Sequence, residues 1–193
     1  MLTNRYKLNL LNFILRPRMF IKVADENSIV SFIEGYEFGQ NLECDFTEQL
    51  KKHLINNFKI TYSNDGWPGQ ITRYSKKKSI SWVTTFRQFG LEILTSDENG
   101  GLTEEMQELI KMRIQNLIKN IGCENPWFKE EWANECIALF AIKSTWFKNL
   151  WNKWEYAALK SILRVIKQGQ AFEGLFFKPT KALLDLKTKF TGD

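Results

Sequence analysis

Apolar residues recur at helical spacing along almost the whole chain, and that period is what most constrains the fold. Phe46, Leu50, Leu54 and Phe58 fall every four residues, and Asp45 followed three residues later by Glu48 approaches a capping box that opens the segment. Ile29, Phe32, Ile33 and Tyr36 trace one buried face, with Asn27 or Ser28 as the expected cap and Gly39 as the end. Trp82, Phe86, Phe89 and Ile93 repeat at i, i+4, i+7, i+11, and this outweighs the β-branched Val83-Thr84-Thr85 within the same stretch. Thr103 caps a long helix bearing Met106, Leu109, Ile110, Ile114, Leu117, Ile118 and Ile121, which Gly122 closes. The expectation is an all-α fold, or nearly so: a compact multi-helix domain of seven or eight helices.

Breakers divide this pattern. Leu8, Leu11 and Leu15 predict a first helix that ends at Arg16-Pro17, because the residue before proline is pushed out of α geometry, and a brief extended piece from Met19 to Val23 follows. Ser63-Asn64-Asp65-Gly66-Trp67-Pro68-Gly69 reads as the longest loop, leading into Lys76-Lys77-Lys78. Residues 1–193 read as one helical domain, with Asn99-Gly100-Gly101 as the candidate boundary, near 97–102, between two helical halves. Asn125-Pro126 restarts the period through Phe128, Trp132, Cys136, Leu139 and Phe140. From Thr145 to Lys167 an uninterrupted helix is expected, with Phe147, Leu150, Trp151, Trp154, Ala158 and Ile162 facing inward and Gly169 at its end. Phe176 to Thr180 then makes one more turn before a last helix with Leu183, Leu186 and Phe190.

At 193 residues the chain needs neither disulfide nor metal to hold a core. Cys44, Cys123 and Cys136 are odd in number and not closely spaced, which predicts reduced thiols and a cytoplasmic protein. Asn9 and Asn12 interrupt the N-terminal apolar stretch and no small-residue cleavage site follows, so no signal peptide is expected. No window approaches the ~20 apolar residues that a membrane span requires. The net charge of +5 is unevenly spread. Residues 141–193 hold ten Lys/Arg against four Asp/Glu, while residues 1–140 hold seventeen against eighteen. The basic character therefore belongs to the C-terminal region, and the acids Asp97, Glu98, Glu104, Glu105 and Glu108 cluster with no basic residue among them.

Catalytic and metal-binding patterns are missing from the sequence. His53 is the single histidine, with no Cys or acid spaced to share a metal, and reads as a partly exposed helix residue. Glu104-Glu105 and Glu130-Glu131 are adjacent on predicted helices, so their side chains diverge by about 100°; they suit a helix N-terminus or a surface for a basic partner better than paired acid–base work. There is no phosphate-cradling glycine loop, no G-x-S-x-G and no His-Glu-x-x-His. Lys76-Lys77-Lys78, with Arg73, Tyr74 and Trp82 nearby and the basic C-terminal region, leaves nucleic-acid binding open as the alternative reading. A third reading, an enzyme whose site is assembled from dispersed residues, also stays open. The tryptophans at 127, 132, 146, 151 and 154 read mostly as core, with Trp127 the one expected at an interface.

Two segments carry a resemblance. Leu10-Leu11-Asn12-Phe13-Ile14-Leu15-Arg16-Pro17-Arg18-Met19-Phe20-Ile21, followed by Ser28-Ile29-Val30-Ser31-Phe32-Ile33-Glu34-Gly35-Tyr36-Glu37-Phe38-Gly39, resembles the opening of immunity proteins of bacterial polymorphic and contact-dependent growth inhibition toxin systems. The shared pattern is a helix, an Arg-Pro-x-Met-aromatic-Ile segment and a helix with Phe-Ile-x-Gly-Tyr, and the likeness covers residues 8–95. It implies a cytoplasmic binder that is not an enzyme and needs no cofactor, pairing one to one with a cognate toxin domain, usually over a nuclease (RNase) active site. No membrane is implied, and nucleic acid is a partner only in the alternative reading. The basic C-terminal region departs from the acidic character common in such proteins. The motif residues themselves read as scaffold, with Phe32 and Tyr36 filling a packed face and Gly35 admitting a close backbone. The toxin-facing surface is therefore expected at Asp97, Glu98, Glu104, Glu105, Glu108, Glu124, Glu130 and Glu131, with Trp127 as aromatic anchor.

Overall fold

A computed structural model describes residues 2–41, 43–96, 101–122, 129–140, 142, 145–169, 172–173 and 178–192; for 129–131, 134, 140, 145 and 172–173 it describes the backbone path alone. The described residues are overwhelmingly helical, as the periodicity predicts. Ten α-helices are present among them, two more than the upper expectation. The additions come from a helix in the segment read as a loop and from a break in one read as continuous. The chain divides into two compact units, residues 1–102 and 103–193.

The first unit holds α1 (Asn4–Leu15), α2 (Glu26–Gly39), α3 (Phe46–Phe58), α4 (Gly66–Lys78) and α5 (Trp82–Leu94). Helix α5 packs against α1, α3 and α4, and its buried residues, from Thr84 through Phe86, Arg87 and Phe89 to Leu94, surround most of its circumference. Such all-round burial marks the central element of a core. Ser81 caps it by accepting from the Thr84 N–H. At Gly90 a Cβ atom would lie 2.6 Å from Ile14 Cδ1, so the glycine lets α1 and α5 approach closely. Arg87, 5% exposed, donates to the Leu15 carbonyl at 3.1 Å and so serves an acceptor left open at the end of α1.

Several local expectations are corrected. After α1 the chain makes a 3-10 turn, Pro17–Met19, in place of an extended piece. Asp25, rather than Asn27 or Ser28, caps α2, its carboxylate accepting from Ser28 N–H at 2.8 Å. Asp45 makes no capping bond to α3 and instead accepts from Gln49, while Glu48 pairs with Lys51. The turn-rich segment around Trp67 opens α4. Gly66, at φ +64, turns the chain into the helix, and Pro68 sits in the first turn, where no N–H is needed. Tertiary packing decides the rest: Trp67 is 4% exposed, its ring centroid is 6.0 Å from Trp82 and 5.9 Å from Phe86, and the Trp82 indole donates to the Pro68 carbonyl.

The second unit contains α6 (Glu104–Lys119), α7 (Lys129–Phe140), α8 (Thr145–Asn149), α9 (Lys153–Lys167), the short antiparallel strands β1 (Phe172–Glu173) and β2 (Lys178–Pro179), and α10 (Lys181–Thr191). Helix α9 packs on α7 and α10, and α6 on the same two helices. Thr103 caps α6 as expected, and Met106, Ile110, Ile114, Leu117 and Ile118 are its buried residues. Trp132 is buried and its indole N–H donates to the Leu117 carbonyl at 2.7 Å.

The expected 145–167 helix is two helices, because Asn152 forms a full capping box with Glu155 and starts α9 afresh. That restart rotates Trp154 outward: it is 70% exposed, whereas Phe147, Trp151, Ala158 and Ile162 are buried. The turn expected from Phe176 to Thr180 instead contains β2, paired with β1 in the register Phe172 to Pro179. Phe176 itself lies outside the described residues.

Candidate partner-binding surfaces

Of the residues expected to face a partner, Glu104, Glu105 and Glu108 stand exposed on the first turns of α6. Glu104 and Glu108 are one turn apart and share a face, which suits the helix N-terminus. Lys111 approaches Glu108 at 3.8 Å, so part of that charge is answered within the helix. Glu130 and Glu131 lie in the first turn of α7, where the backbone alone is described. Asp97, Glu98, Glu124 and Trp127 lie outside the described residues. The fully described exposed tryptophan is Trp154.

The two resembling segments bury Leu10, Leu11, Phe13, Ile14, Ile29 and Ile33, as scaffold does, and they also border open space. They meet around a groove of about 480 Å³ lined by Asn9, Asn12, Arg16, Met19, Phe20, Phe32 and Tyr36, together with Leu10. Phe13 stacks on Phe32 with ring centroids 3.8 Å apart, and Phe20 meets both rings edge-on. Phe13 is fully buried beneath, but Met19 is 70% and Phe20 48% exposed. Tyr36 receives a hydrogen bond from the Asn9 amide at 3.1 Å, which fixes the phenol at the rim. Gly35 admits no close neighbour: a Cβ there would meet nothing within 4 Å. A sign of this groove was present in the sequence, since Met19 and Phe20 are large apolar residues in a linker that belongs to no periodic face.

Three polar pairings join residues that the sequence leaves largely unconnected. Glu37, 8% exposed, accepts from Thr47. Glu135 holds Arg113 through both carboxylate oxygens, at 2.5 and 2.7 Å. His53 lies 2.9 Å from Glu92 through Nε2 and 2.9 Å from Asn57 through Nδ1, its ring packed against Phe58 and Phe89. Of these, only the one-turn spacing of His53 and Asn57 was visible in the chain. The pairing orients a single imidazole between a carboxylate and an amide within a packed aromatic cluster.

Among the described residues no group of three His, Cys, Asp or Glu side chains is arranged to hold a metal ion, and no helix is long and apolar enough to cross a membrane. Cys44 and Cys136 are buried, and no disulfide joins them among the described residues. The run Lys76-Lys77-Lys78, expected to follow a loop, forms the last turn of α4, where positive charge complements the helix dipole. The chain matches no family model, no curated protein and no solved structure.

Proposed function

We propose that this chain is an immunity protein: a cytoplasmic inhibitor, acting by binding and without chemistry of its own, that pairs one to one with a cognate bacterial toxin domain and occludes its active site. The toxin is proposed to be a nuclease, an RNase delivered by contact-dependent inhibition. The observation that carries this reading is the convergence of both resembling segments on one open groove in which Met19 and Phe20 remain exposed. Clustered exposed apolar side chains are costly in water unless a partner covers them, and aromatic residues in such a patch supply binding energy. The acids Glu104, Glu105 and Glu108 offer a second contact suited to a basic nuclease, through complementary charge.

Co-expression with the product of the adjacent gene tests the proposal. The expected outcome is a complex that co-purifies and a nuclease activity that disappears when the chain is added. Met19→Glu with Phe20→Glu is expected to weaken the complex by about a hundredfold, as loss of an aromatic anchor does. Reversing Asp97, Glu104 and Glu105 together to Lys tests the acidic surface separately. Absence of both complex and protection for the unaltered chain overturns the reading. If the complex forms and neither set of substitutions weakens it, the proposed contact surfaces are wrong.

A further inference from the structure

A second groove, of about 460 Å³, lies between the end of α3 and the C-terminal half of α4. Lys59, Arg73, Lys77 and Lys78 line it together with the half-buried rings of Phe58 and Tyr74, and no carboxylate is among the lining residues. Arg73 is already engaged, pairing with Asp65 and donating to the Thr61 carbonyl at 3.0 Å, which ties α4 to the segment after α3. Lys77 and Lys78 are exposed and make no ion pair among the described residues. Lys59 is held at φ 57, a left-handed conformation that glycine adopts at less cost. The chain thus keeps a cation at a position where backbone preference favours having no side chain.

We propose that this groove binds a short single-stranded segment of nucleic acid, Lys59, Lys77 and Lys78 taking successive phosphates and the Tyr74 and Phe58 rings providing the apolar wall for a base. Phosphates neutralised by lysine release counterions, and aromatic side chains bind bases with little regard to sequence. The combination favours nucleic acid, in which every residue carries both a phosphate and a flat base, over an acidic peptide, in which each side chain supplies a charge or a ring but not both. The exposed Asn57 amide and Thr61 hydroxyl, also at the groove, add donors and acceptors for a base edge. This inference stands independently of the toxin-binding reading.

Fluorescence anisotropy with labelled octauridylate and octathymidylate tests it on the full chain. Binding is expected, and with about three phosphates neutralised it should weaken about twentyfold between roughly 50 and 200 mM salt. Lys77→Glu with Lys78→Glu, and separately Lys59→Gly, should each weaken it about tenfold or more. Lys59→Gly suits the left-handed backbone, so its melting temperature should be unchanged or higher and a loss of binding cannot be put down to unfolding. Lys160→Glu with Arg164→Glu, on the exposed face of α9, should leave binding intact. The proposal is overturned if neither oligonucleotide binds at low salt, if binding follows Lys160 and Arg164 instead of the groove, or if polyglutamate binds as tightly as the oligonucleotides.

Discussion

Glu37, near the end of α2, closes the start of α3 through Thr47: one carboxylate oxygen accepts from the Thr47 N–H at 2.8 Å and the other from its hydroxyl at 2.7 Å. The cap of α3 is therefore supplied by another helix, ten residues away in sequence. Glu37→Ala is expected to lower stability by about 1–3 kcal/mol, the cost of losing a cap and leaving a shielded N–H unpaired. Chemical denaturation checks this, and an unchanged midpoint would mean that α3 needs no cap from α2.

Gly90 is expected to resist enlargement. Alanine in a helix interior gains about 1 kcal/mol over glycine, but here the new methyl would overlap Ile14 Cδ1, whose side chain is fully buried. Overpacking of this kind costs about 1–3 kcal/mol, so Gly90→Ala should be net destabilising. Ile14→Val removes the overlapping atom, and the double variant should be more stable than the sum of the single effects. Additive effects in a double-mutant cycle would refute the close approach.

Arg113 and Glu135 join α6 to α7 through a two-pronged ion pair in which the Glu135 side chain is 6% exposed. Removing Glu135 leaves the half-buried Arg113, its side chain 20% exposed, without its counterpart, at an expected cost of about 1–3 kcal/mol. Glu135→Leu alone should therefore be destabilising, and Arg113→Met with Glu135→Leu should recover most of the loss. Equal stability of the single and double variants, read by thermal melting, would count against the pairing.

Burial pushes the Cys44 thiol up from 9.0 to about 11. A folded value above the unfolded one means that the neutral thiol stabilises the native state below pH 9, a contribution lost as pH rises toward 11. The difference corresponds to at most about 3 kcal/mol. Tyr6 adds a loss of the same sign above its ordinary value of 10.0, because its hydrogen bond to Glu43 raises it. Burial lowers the Lys7 ammonium from 10.5, which opposes that loss, so the difference between the natural chain and Cys44→Ala, rather than the interval alone, isolates the thiol. Between pH 9 and 10 melting temperature should fall more for the natural chain than for Cys44→Ala; identical profiles would show that Cys44 contributes no alkaline dependence.

The helical period, read residue by residue, already contained α2, α3, α5 and α6, because the spacing of their buried apolar residues is written into the chain: Phe46, Leu50 and Leu54 are all fully buried, as are Ile110 and Phe89. Local chemistry also showed where α1 stops and that Thr103 starts α6. Helix α4 was hidden because its residues favour turns, and only the seating of Trp67 against Trp82 and Phe86 makes a helix of them. Trp154 kept the apparent period of a buried residue, yet the capping box at Asn152 reset the helix and left it in solvent. The groove around Met19 and Phe20 required α1 and α2 to bring Phe13 onto Phe32, and the partnerships of Glu37, Glu92 and Glu135 required segments ten, thirty-nine and twenty-two residues away. A period reports which face of one helix avoids water; which face of another helix comes to meet it is decided by packing, and that is where both grooves arise.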